Sequence, residues 1–180
     1  MRVNMNPNTY LYLAFLLLML PAKFLLAWLL AMAAHEFSHC FGVKLCGGKV
    51  LGLCIGVGGI HMQSTPMSDI KRLFCVLCGP IGGFLLTLLG RWLPLTALLS
   101  WLLSAYNLLP FPFLDGGKAL EILVGDAADK VAKAVMLLLL LAAIYGTVFM
   151  EIGALPMVII TGLWLKYRKT PCKPGVCKLQ

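Results

Sequence analysis

The sequence His35-Glu36-Phe37-Ser38-His39 (HEFSH) lies at the end of a long apolar run and is the most informative part of the chain. If the run is helical, His35 and His39 lie on one face, because residues four apart are about one turn apart. Two imidazoles at this spacing can bind one metal ion, and Glu36 lies beside them to act on a water molecule. This HExxH pattern is typical of zinc hydrolases.

The residues before the motif place it at or inside the hydrocarbon of a membrane. Residues 27–34 (AWLLAMAA) carry no charge. Ionisable side chains are costly in that setting and usually mark function. A chance match, or histidines satisfied by hydrogen bonds at a helix end, is the alternative. It is less favoured because the burial of two histidines and a glutamate must be offset by a partner such as a metal.

Composition indicates an integral membrane protein and excludes an ordinary soluble domain. The chain of 180 residues is 61% hydrophobic and only 12% charged, well outside the range of soluble domains. The net charge of +8 comes from residues in short connections and the C-terminal tail, which favours membrane topology over nucleic-acid binding. The seven cysteines are scattered, several in apolar segments, and do not resemble a secreted disulfide framework.

The apolar segments predict an all-α polytopic membrane protein with about six transmembrane helices. Pro21-Ala22-Lys23 interrupts the first apolar run and favours a tight turn between two spans, although one kinked helix remains an alternative. No cleavable signal peptide is recognisable, so we expect the first run to be retained. The predicted spans are residues 8–20, 23–43, 73–90, 95–109, 135–150 and 152–165.

The stretch between the second and third spans, residues 44–68, predicts a β-hairpin or a re-entrant loop beside the active site. It is rich in glycine and β-branched residues, with too many glycines for a stable helix. Irregular backbone at membrane depth is tolerated only where it is buried in protein or lines a wet cavity. His61 falls here as a conceivable third ligand, although an interfacial or hydrogen-bonding histidine is the more frequent case.

The second informative stretch is NLLPFPFLDGG, residues 107–117. Pro110 and Pro112 cannot continue a regular helix, and the paired glycines that follow allow a tight turn or a close approach. We expect a broken helix that presents the carboxylate of Asp115 at membrane depth. A helix-ending turn with an aspartate cap is the alternative, and it explains the prolines and the apolar setting less well.

The remaining segments give weaker predictions. Residues 118–133 are expected to be a polar connection, and Cys75 and Cys78 form a CxxC pair that is better explained by packing than by redox chemistry. The basic tail is expected to anchor the topology rather than to bind anionic lipid specifically. We therefore predict one transmembrane domain over residues 1–170, a short basic cytoplasmic tail over 171–180, and no accessory soluble domain.

The distribution of basic residues orients the spans. With six spans and both ends in the cytoplasm, every lysine and arginine except Lys23 and Arg91 falls on the cytoplasmic side, as the positive-inside rule requires. HEFSH and LDGG then end their spans at the same, cytoplasmic side. We expect the active site to open toward the cytoplasm.

Two imidazoles and one carboxylate with a fourth position open to water form a catalytic zinc pattern. A closed structural site would show four protein ligands, often cysteines. In such a site the metal acidifies a water molecule, and Glu36 takes its proton and later protonates the leaving amine of a cleaved peptide.

The order of the motifs resembles the site-2 protease family of intramembrane metalloproteases. The shared features are HExxH in an early membrane helix, a Gly-rich loop, a helix with Gly79-Pro80, and NxxPxxxLDGG, and they span nearly the whole chain. The short first span and the six-span pattern look most like the stage IV sporulation protein FB subgroup. Two departures stand out: Gly83 stands where the family often has Asn, and we expect no C-terminal nucleotide-sensing domain.

The resemblance implies a role for seven residues. The implied zinc ligands are His35, His39 and Asp115. Glu36 would be the catalytic base, and Asn107 would help to position the substrate. The Gly-rich loop, with Gly58 and Gly59, would bind an unwound substrate as an added strand.

The resemblance also implies partners and a location. The substrate would be a membrane-associated protein, either a sporulation pro-sigma factor or a transmembrane regulator such as an anti-sigma factor or a signal remnant. Inhibitory membrane proteins would regulate the enzyme, and its place would be a bacterial cell membrane, including the membrane around the forespore. Two other classes are a metal transporter and a non-catalytic binder of membrane segments. The clustering of polar residues at one depth argues against a transporter. The intact Glu36 argues against a non-catalytic binder, because binding alone does not need a base.

Overall fold

The computed structural model describes residues 2–5, 19–56, 59–149 and 155–169. These residues belong to two compact units, one within Met1–Asn107 and one within Leu108–Lys178. The elements of the first unit are β1 (Arg2–Met5), α1 (Ala22–Leu45), β2 (Val50–Gly56), β3 (Gly59–Ser64), α2 (Asp69–Leu86), a 3-10 turn (Thr87–Arg91) and α3 (Pro94–Asn107). Those of the second are α4 (Asp115–Val124), α5 (Ala127–Phe149) and α6 (Leu155–Lys169).

Helix α1 begins directly after Pro21, where the sequence predicts a turn. Pro21 has extended backbone angles, φ −56° and ψ 137°, and its carbonyl accepts the first hydrogen bonds of the helix, from the backbone N–H groups of Phe24 and Leu25. Proline is suited to this place because its fixed φ and missing N–H cost nothing at a helix start. The chain therefore breaks before the helix, and most of the predicted first span, residues 8–20, lies outside the described residues.

A three-stranded sheet follows α1, in the order β1-β2-β3. Strands β2 and β3 pair antiparallel, for example Leu53 with Met62, so this stretch is a β-hairpin in the structure. Its placement within a membrane remains a prediction. Gly59 begins β3, and Gly58 lies outside the described residues.

Strand β1 precedes the first predicted span and has no counterpart among the features predicted from the sequence. Arg2–Met5 pairs parallel with β2, with Arg2 opposite Gly52. The open edge of β2 offers backbone donors and acceptors that another segment can pair with. Such a partner, about fifty positions away, leaves no periodic pattern in four residues.

Helices α2 and α3 agree closely with the predicted third and fourth spans. Helix α2 with the 3-10 turn covers Asp69–Arg91, and α3 covers Pro94–Asn107. Small residues line the contact between these helices. Ser100, fully buried on α3, donates to the carbonyl of Gly83 on α2 at 2.8 Å. Close approach through small residues is a common way to pack helices in membranes, where lipid tails compete with apolar side chains.

In the second unit, residues 118–133, which are predicted as a polar connection, are largely helical and form most of α4 and the first turns of α5. Their alanines, leucines, lysines and glutamate are good helix formers. The break between the helices falls at Gly125, whose φ of +56° favours glycine.

The second unit has an apolar core around the completely buried Phe111. The other buried members of this core are Leu114, Ala132, Met136, Ala143 and Ile160. The Tyr167 hydroxyl of α6 donates to the Asp129 carboxylate of α5, and Lys133 forms an ion pair with the same carboxylate at 2.7 Å. The end of the predicted fifth span, the start of the sixth and the tail 171–180 lie outside the described residues.

Among the described residues, three helical segments are long and apolar enough to cross a membrane, by length and composition. They are Ala22–Leu45, Asp69–Arg91 and Ala127–Val148. Large apolar side chains on the first two are exposed, among them Phe37 (71%) and Leu85 (59%). Exposed apolar surface of this kind fits a lipid environment. The chain is an integral membrane protein, and the full count of six spans remains a prediction.

Candidate metal centre

The two histidines of HEFSH lie on the same buried face of α1. His35 is 3% exposed and His39 is 8% exposed. Their Nε2 atoms are 3.3 Å apart, and their rings meet edge to face. The four-residue spacing in a regular helix produces this juxtaposition, as the sequence predicts.

The separation of the two Nε2 atoms fits a shared metal ion. Two nitrogens bound to one zinc ion at about 2.05 Å with tetrahedral angles lie about 3.3 Å apart. A hydrogen bond between the two rings would have a similar length, so the protonation of each ring decides between these interpretations.

The backbone of α2 determines the protonation of His39. Nδ1 of His39 lies 2.8 Å from the carbonyl oxygen of Cys75. A carbonyl only accepts, so Nδ1 carries a hydrogen and donates it. The neutral ring then has its lone pair on Nε2, the atom nearest His35. Metal-binding histidines commonly hold their second ring nitrogen in this way.

The backbone of α2 also lies very close to the face of the His39 ring at Nε2. A Cβ atom placed on Gly79 would be 2.1 Å from His39 Nε2. One turn further, a Cβ on Gly82 would be 1.8 Å from the Ser38 Oγ of α1. Glycine at these positions allows α2 to pack against the ligand-bearing face of α1.

Glu36 follows His35 on α1 and is partly buried. One residue along a helix turns the side chain by about 100°, so Glu36 lies beside the histidine face rather than on it. The sequence predicts that Glu36 is the general base. A position beside the histidine face suits that role, because the base has to reach a water molecule next to the ligands.

In the second unit, Asp115 is the first residue of α4 and is 6% exposed. One of its oxygens, Oδ1, lies 3.1 Å from Nζ of Lys118, one turn further along the helix. A carboxylate in the first turn is stabilised by the helix dipole as well as by this lysine. The Lys118 side chain is 35% exposed, so solvent weakens the ion pair.

The segment before Asp115 is held by its own backbone. Phe111 N–H donates to the Leu109 carbonyl and Leu114 N–H to the Phe111 carbonyl, each at 2.8 Å. A Cβ on Gly117 would be 1.9 Å from the Phe111 carbonyl oxygen. The glycine pair thus permits a close approach of α4 to the turn that precedes it, one of the two uses predicted from the sequence.

His35 and His39 in the first unit offer two buried imidazole nitrogens, and Asp115 in the second unit offers a buried carboxylate oxygen. Nitrogen and oxygen donors of these kinds suit zinc and other divalent transition metals. The residues therefore fit the metal that the motifs predict.

The other residues singled out in the sequence make contacts that do not by themselves indicate a role in the site. Asn107 ends α3, and its side-chain amide donates to the Leu103 carbonyl at 3.0 Å. His61 lies in β3 opposite Cys54. Cys78 packs close to Gly42 of α1, in keeping with the packing role expected for the CxxC pair. The roles of Asn107, Gly58 and Gly59 in substrate binding remain predictions.

Three contributors to the candidate site were missed in the sequence: the carbonyl of Cys75, Gly79 and Lys118. A backbone carbonyl leaves no trace in the residue type, so no pattern could have identified it. The Gly79-Pro80 pair belongs to the resemblance, but nothing in the sequence places Gly79 beside His39. Lys118 falls within the stretch that is predicted as a polar connection.

No protein-family model matches the sequence, and a search of curated protein sequences also finds no match. The structure is nevertheless similar to that of the site-2 protease from Methanocaldococcus jannaschii, with a TM-score of 0.65. The likeness covers 99% of this chain and 94% of that chain at 17% sequence identity. At that identity the comparison establishes the fold: this chain folds like a site-2 protease.

Proposed function

We propose that this chain is an intramembrane metalloprotease that hydrolyses a peptide bond in or near a membrane-associated segment. One observation carries the proposal. Two buried imidazoles on an apolar helix bring their Nε2 atoms to 3.3 Å, and the hydrogen bond from His39 Nδ1 to the Cys75 carbonyl puts the lone pair of the neutral His39 ring on Nε2, the nitrogen that faces His35. The likeness of the fold to a site-2 protease supports the same function.

The residues that would hold the metal are His35, His39 and Asp115, and the metal would be zinc. Three protein ligands leave a coordination position for water or substrate, as catalytic zinc sites do. A zinc ion held there would supply Lewis-acid polarisation of the scissile carbonyl and would acidify water.

Among the residues of the chain, Glu36 would be the general base and the general acid. It takes the proton of the attacking water and passes it to the leaving amine, so that one carboxylate acts first as base and then as acid. The apolar sequence before HEFSH limits the entry of bulk water, which strengthens electrostatic interactions at the site. Asn107 would help to orient the substrate backbone.

The substrate would bind as an extended strand. A helical peptide hides its amides in intrahelical hydrogen bonds, so a membrane segment has to unwind before it is cut. Strand β3 is an edge strand of the described sheet, and an added strand would hydrogen-bond to it. Gly59 at the start of β3 and Gly58 before it would allow a close approach.

The finer proposals concern substrate and location. We propose a pro-sigma factor of sporulation as substrate, with a transmembrane anti-sigma factor or a signal remnant as the alternative, and inhibitory membrane proteins as regulators. The positions of the lysines and arginines support an active site toward the cytoplasm of a bacterial cell. A nucleic-acid partner is not proposed.

Cleavage by reconstituted protein tests the function. Wild type, Glu36→Gln and Asp115→Asn are placed in vesicles with zinc and a tagged pro-sigma factor or a tagged anti-sigma factor. Loss of a general base should lower the cleavage rate by about 10²- to 10⁴-fold, while Glu36→Gln still binds zinc. Glu121→Gln, an exposed glutamate on α4, is the matched control and should cleave normally.

The outcomes separate the competing functions. Cleavage that survives Glu36→Gln contradicts the mechanism. Zinc flux into vesicles without cleavage of either substrate would favour a transporter. Binding of both substrates, without cleavage, that is unaffected by Glu36→Gln would favour a non-catalytic binder. Cleavage of only one substrate decides between the two substrate classes.

A further inference from the structure

His39 receives its support from α2 rather than from its own helix. The two contacts come from residues four apart on α2, the carbonyl of Cys75 and the backbone of Gly79. Residues at this spacing lie one turn apart on the same helix face. Both therefore meet the same imidazole ring, one at each nitrogen.

The Cys75 carbonyl defines which nitrogen of His39 is available. It accepts the Nδ1 hydrogen at 2.8 Å, and a carbonyl with two lone pairs can do so in addition to accepting a helical hydrogen bond. The contact also stops rotation of the ring about its χ2 angle. Nε2 is then presented unprotonated, in a fixed direction.

Gly79 leaves the space that the face of the ring needs at Nε2. A Cβ there would lie 2.1 Å from Nε2, 2.4 Å from Cε1 and 2.7 Å from Cδ2, so even alanine would collide with this face. The ring has little room to retreat, because Nδ1 is bonded to Cys75 and Nε2 lies 3.3 Å from His35 Nε2. A side chain at position 79 would therefore displace His39 from its ligand position.

We propose that the Cys75 carbonyl and Gly79 form a positioning cradle that holds His39 for metal binding. These two groups together are the His39 cradle. The inference rests on the proposed function, because it concerns the ligand that the proposed metal requires. Gly79 acts through His39 and is a positioning residue, not a catalytic one.

The neighbouring Gly82 offers a matched control on the same helix interface. A Cβ at position 82 would lie 1.8 Å from the Oγ of Ser38, which is an even closer contact. Ser38 Oγ, which donates to the Ala34 carbonyl of its own helix at 2.8 Å, can rotate to another rotamer, but the Ser38 Cβ, 2.4 Å from the same point, cannot. Gly82→Ala thus pushes α1 and α2 apart without placing an atom against a ligand. Gly90, whose Cβ would make an ordinary 3.5 Å contact with Ala97, controls for glycine replacement itself.

The experiment measures zinc affinity by competition with a chelator, together with the thermal midpoint of the metal-free protein, in detergent. Gly79→Ala should lower zinc affinity by about 10- to 100-fold, the range for loss of an outer-shell contact to a metal ligand. Gly90→Ala should stay within about threefold of wild type in affinity, and Gly82→Ala, which disturbs His39 only through the helix contact, should lose less affinity than Gly79→Ala even if its thermal midpoint falls further. Equal losses for Gly79→Ala and Gly82→Ala, or no loss for Gly79→Ala, would overturn the proposal.

A second measurement needs no glycine variant and so remains valid if Gly79→Ala does not fold. In metal-free protein with ¹⁵N-labelled histidine, the His39 resonances are identified by their loss in His39→Gln. We expect the tautomer with hydrogen on Nδ1, and the tautomer with hydrogen on Nε2 would overturn the cradle. Wild type that binds zinc without cleaving any peptide would contradict the proposed function and leave the cradle standing.

Discussion

His39 at the end of α1 and Asp115 at the start of α4 are both buried, but they are supported in opposite ways. The ring of His39 is held by Cys75 and Gly79, which lie 36 and 40 positions further along the chain. The carboxylate of Asp115 is paired with Lys118, three positions away, and the turn before it is held by its own backbone. One ligand depends on helix packing and the other on local chain geometry.

The two kinds of support predict which substitutions each ligand should tolerate. A shift between α1 and α2 changes the surroundings of His39 at once. The turn before Asp115 is restrained within about ten residues by prolines, a buried Phe111 and the glycine pair, so only a change inside that stretch should disturb it. The predictions below test this distinction.

Gly117→Ala should have the largest effect on folding. The new Cβ would lie 1.9 Å from the Phe111 carbonyl oxygen, a backbone atom of a completely buried residue that cannot move aside. We expect a loss of about 3 kcal/mol or more in the stability of the metal-free protein, at the upper end for overpacking. Gly162→Ala on α6, with open space around it, should be neutral or slightly stabilising.

The measurement is thermal or denaturant unfolding in detergent, compared with Gly79→Ala. Gly79→Ala should reduce metal affinity more than stability, since it meets a side chain that can be displaced. Gly117→Ala should reduce stability more than metal affinity. If the two variants behave alike, the distinction between packed and local support is wrong.

Lys118→Met should have a smaller effect. The lysine is one-third exposed and pairs with Asp115 at 3.1 Å, so removing it should destabilise the metal-free protein by less than about 1 kcal/mol. The loss should be smaller in high salt, and Lys118→Arg should retain most of the stability. We expect the zinc affinity of Lys118→Met to change by less than about tenfold. A larger change would place the main support of Asp115 in this ion pair rather than in the turn.

The smallest effects are expected at the contact between α2 and α3, one turn beyond the His39 cradle. The buried hydroxyl of Ser104 has no hydrogen-bond partner among the described residues, so Ser104→Ala should raise stability by up to about 1 kcal/mol. Ser100 donates to the Gly83 carbonyl, so Ser100→Ala should lower stability by about 1 kcal/mol. Unfolding measurements of both variants test the sign of each predicted change in stability. A loss of zinc affinity in Ser100→Ala alone would extend the support of His39 to α3.

Several features of the fold could be predicted because they follow from local patterns. The spacing of His35 and His39 places both on one helix face, and Pro21 marks the start of that helix. The glycine-rich stretch after α1 predicts the hairpin because it resists helix formation. The prolines and glycines around Asp115 predict a break in the helix before it, and α4 begins at Asp115 itself.

Other features are not visible in the sequence pattern. The charges of residues 118–133 predict a connection between spans, and only the structure shows that this connection is largely helical. Strand β1 is too short to show a period. Its pairing with β2 depends on an open strand edge elsewhere in the chain, which four residues cannot reveal.

The membrane character, the helical spacing of the two histidines and the turn that carries Asp115 follow from local sequence, because periodicity, hydropathy and proline act within a few residues. The nitrogen that His39 presents and the need for glycine at position 79 follow from the tertiary structure. Those properties depend on the rotation and distance of a neighbouring helix, and its backbone carbonyl is the same whatever residue carries it.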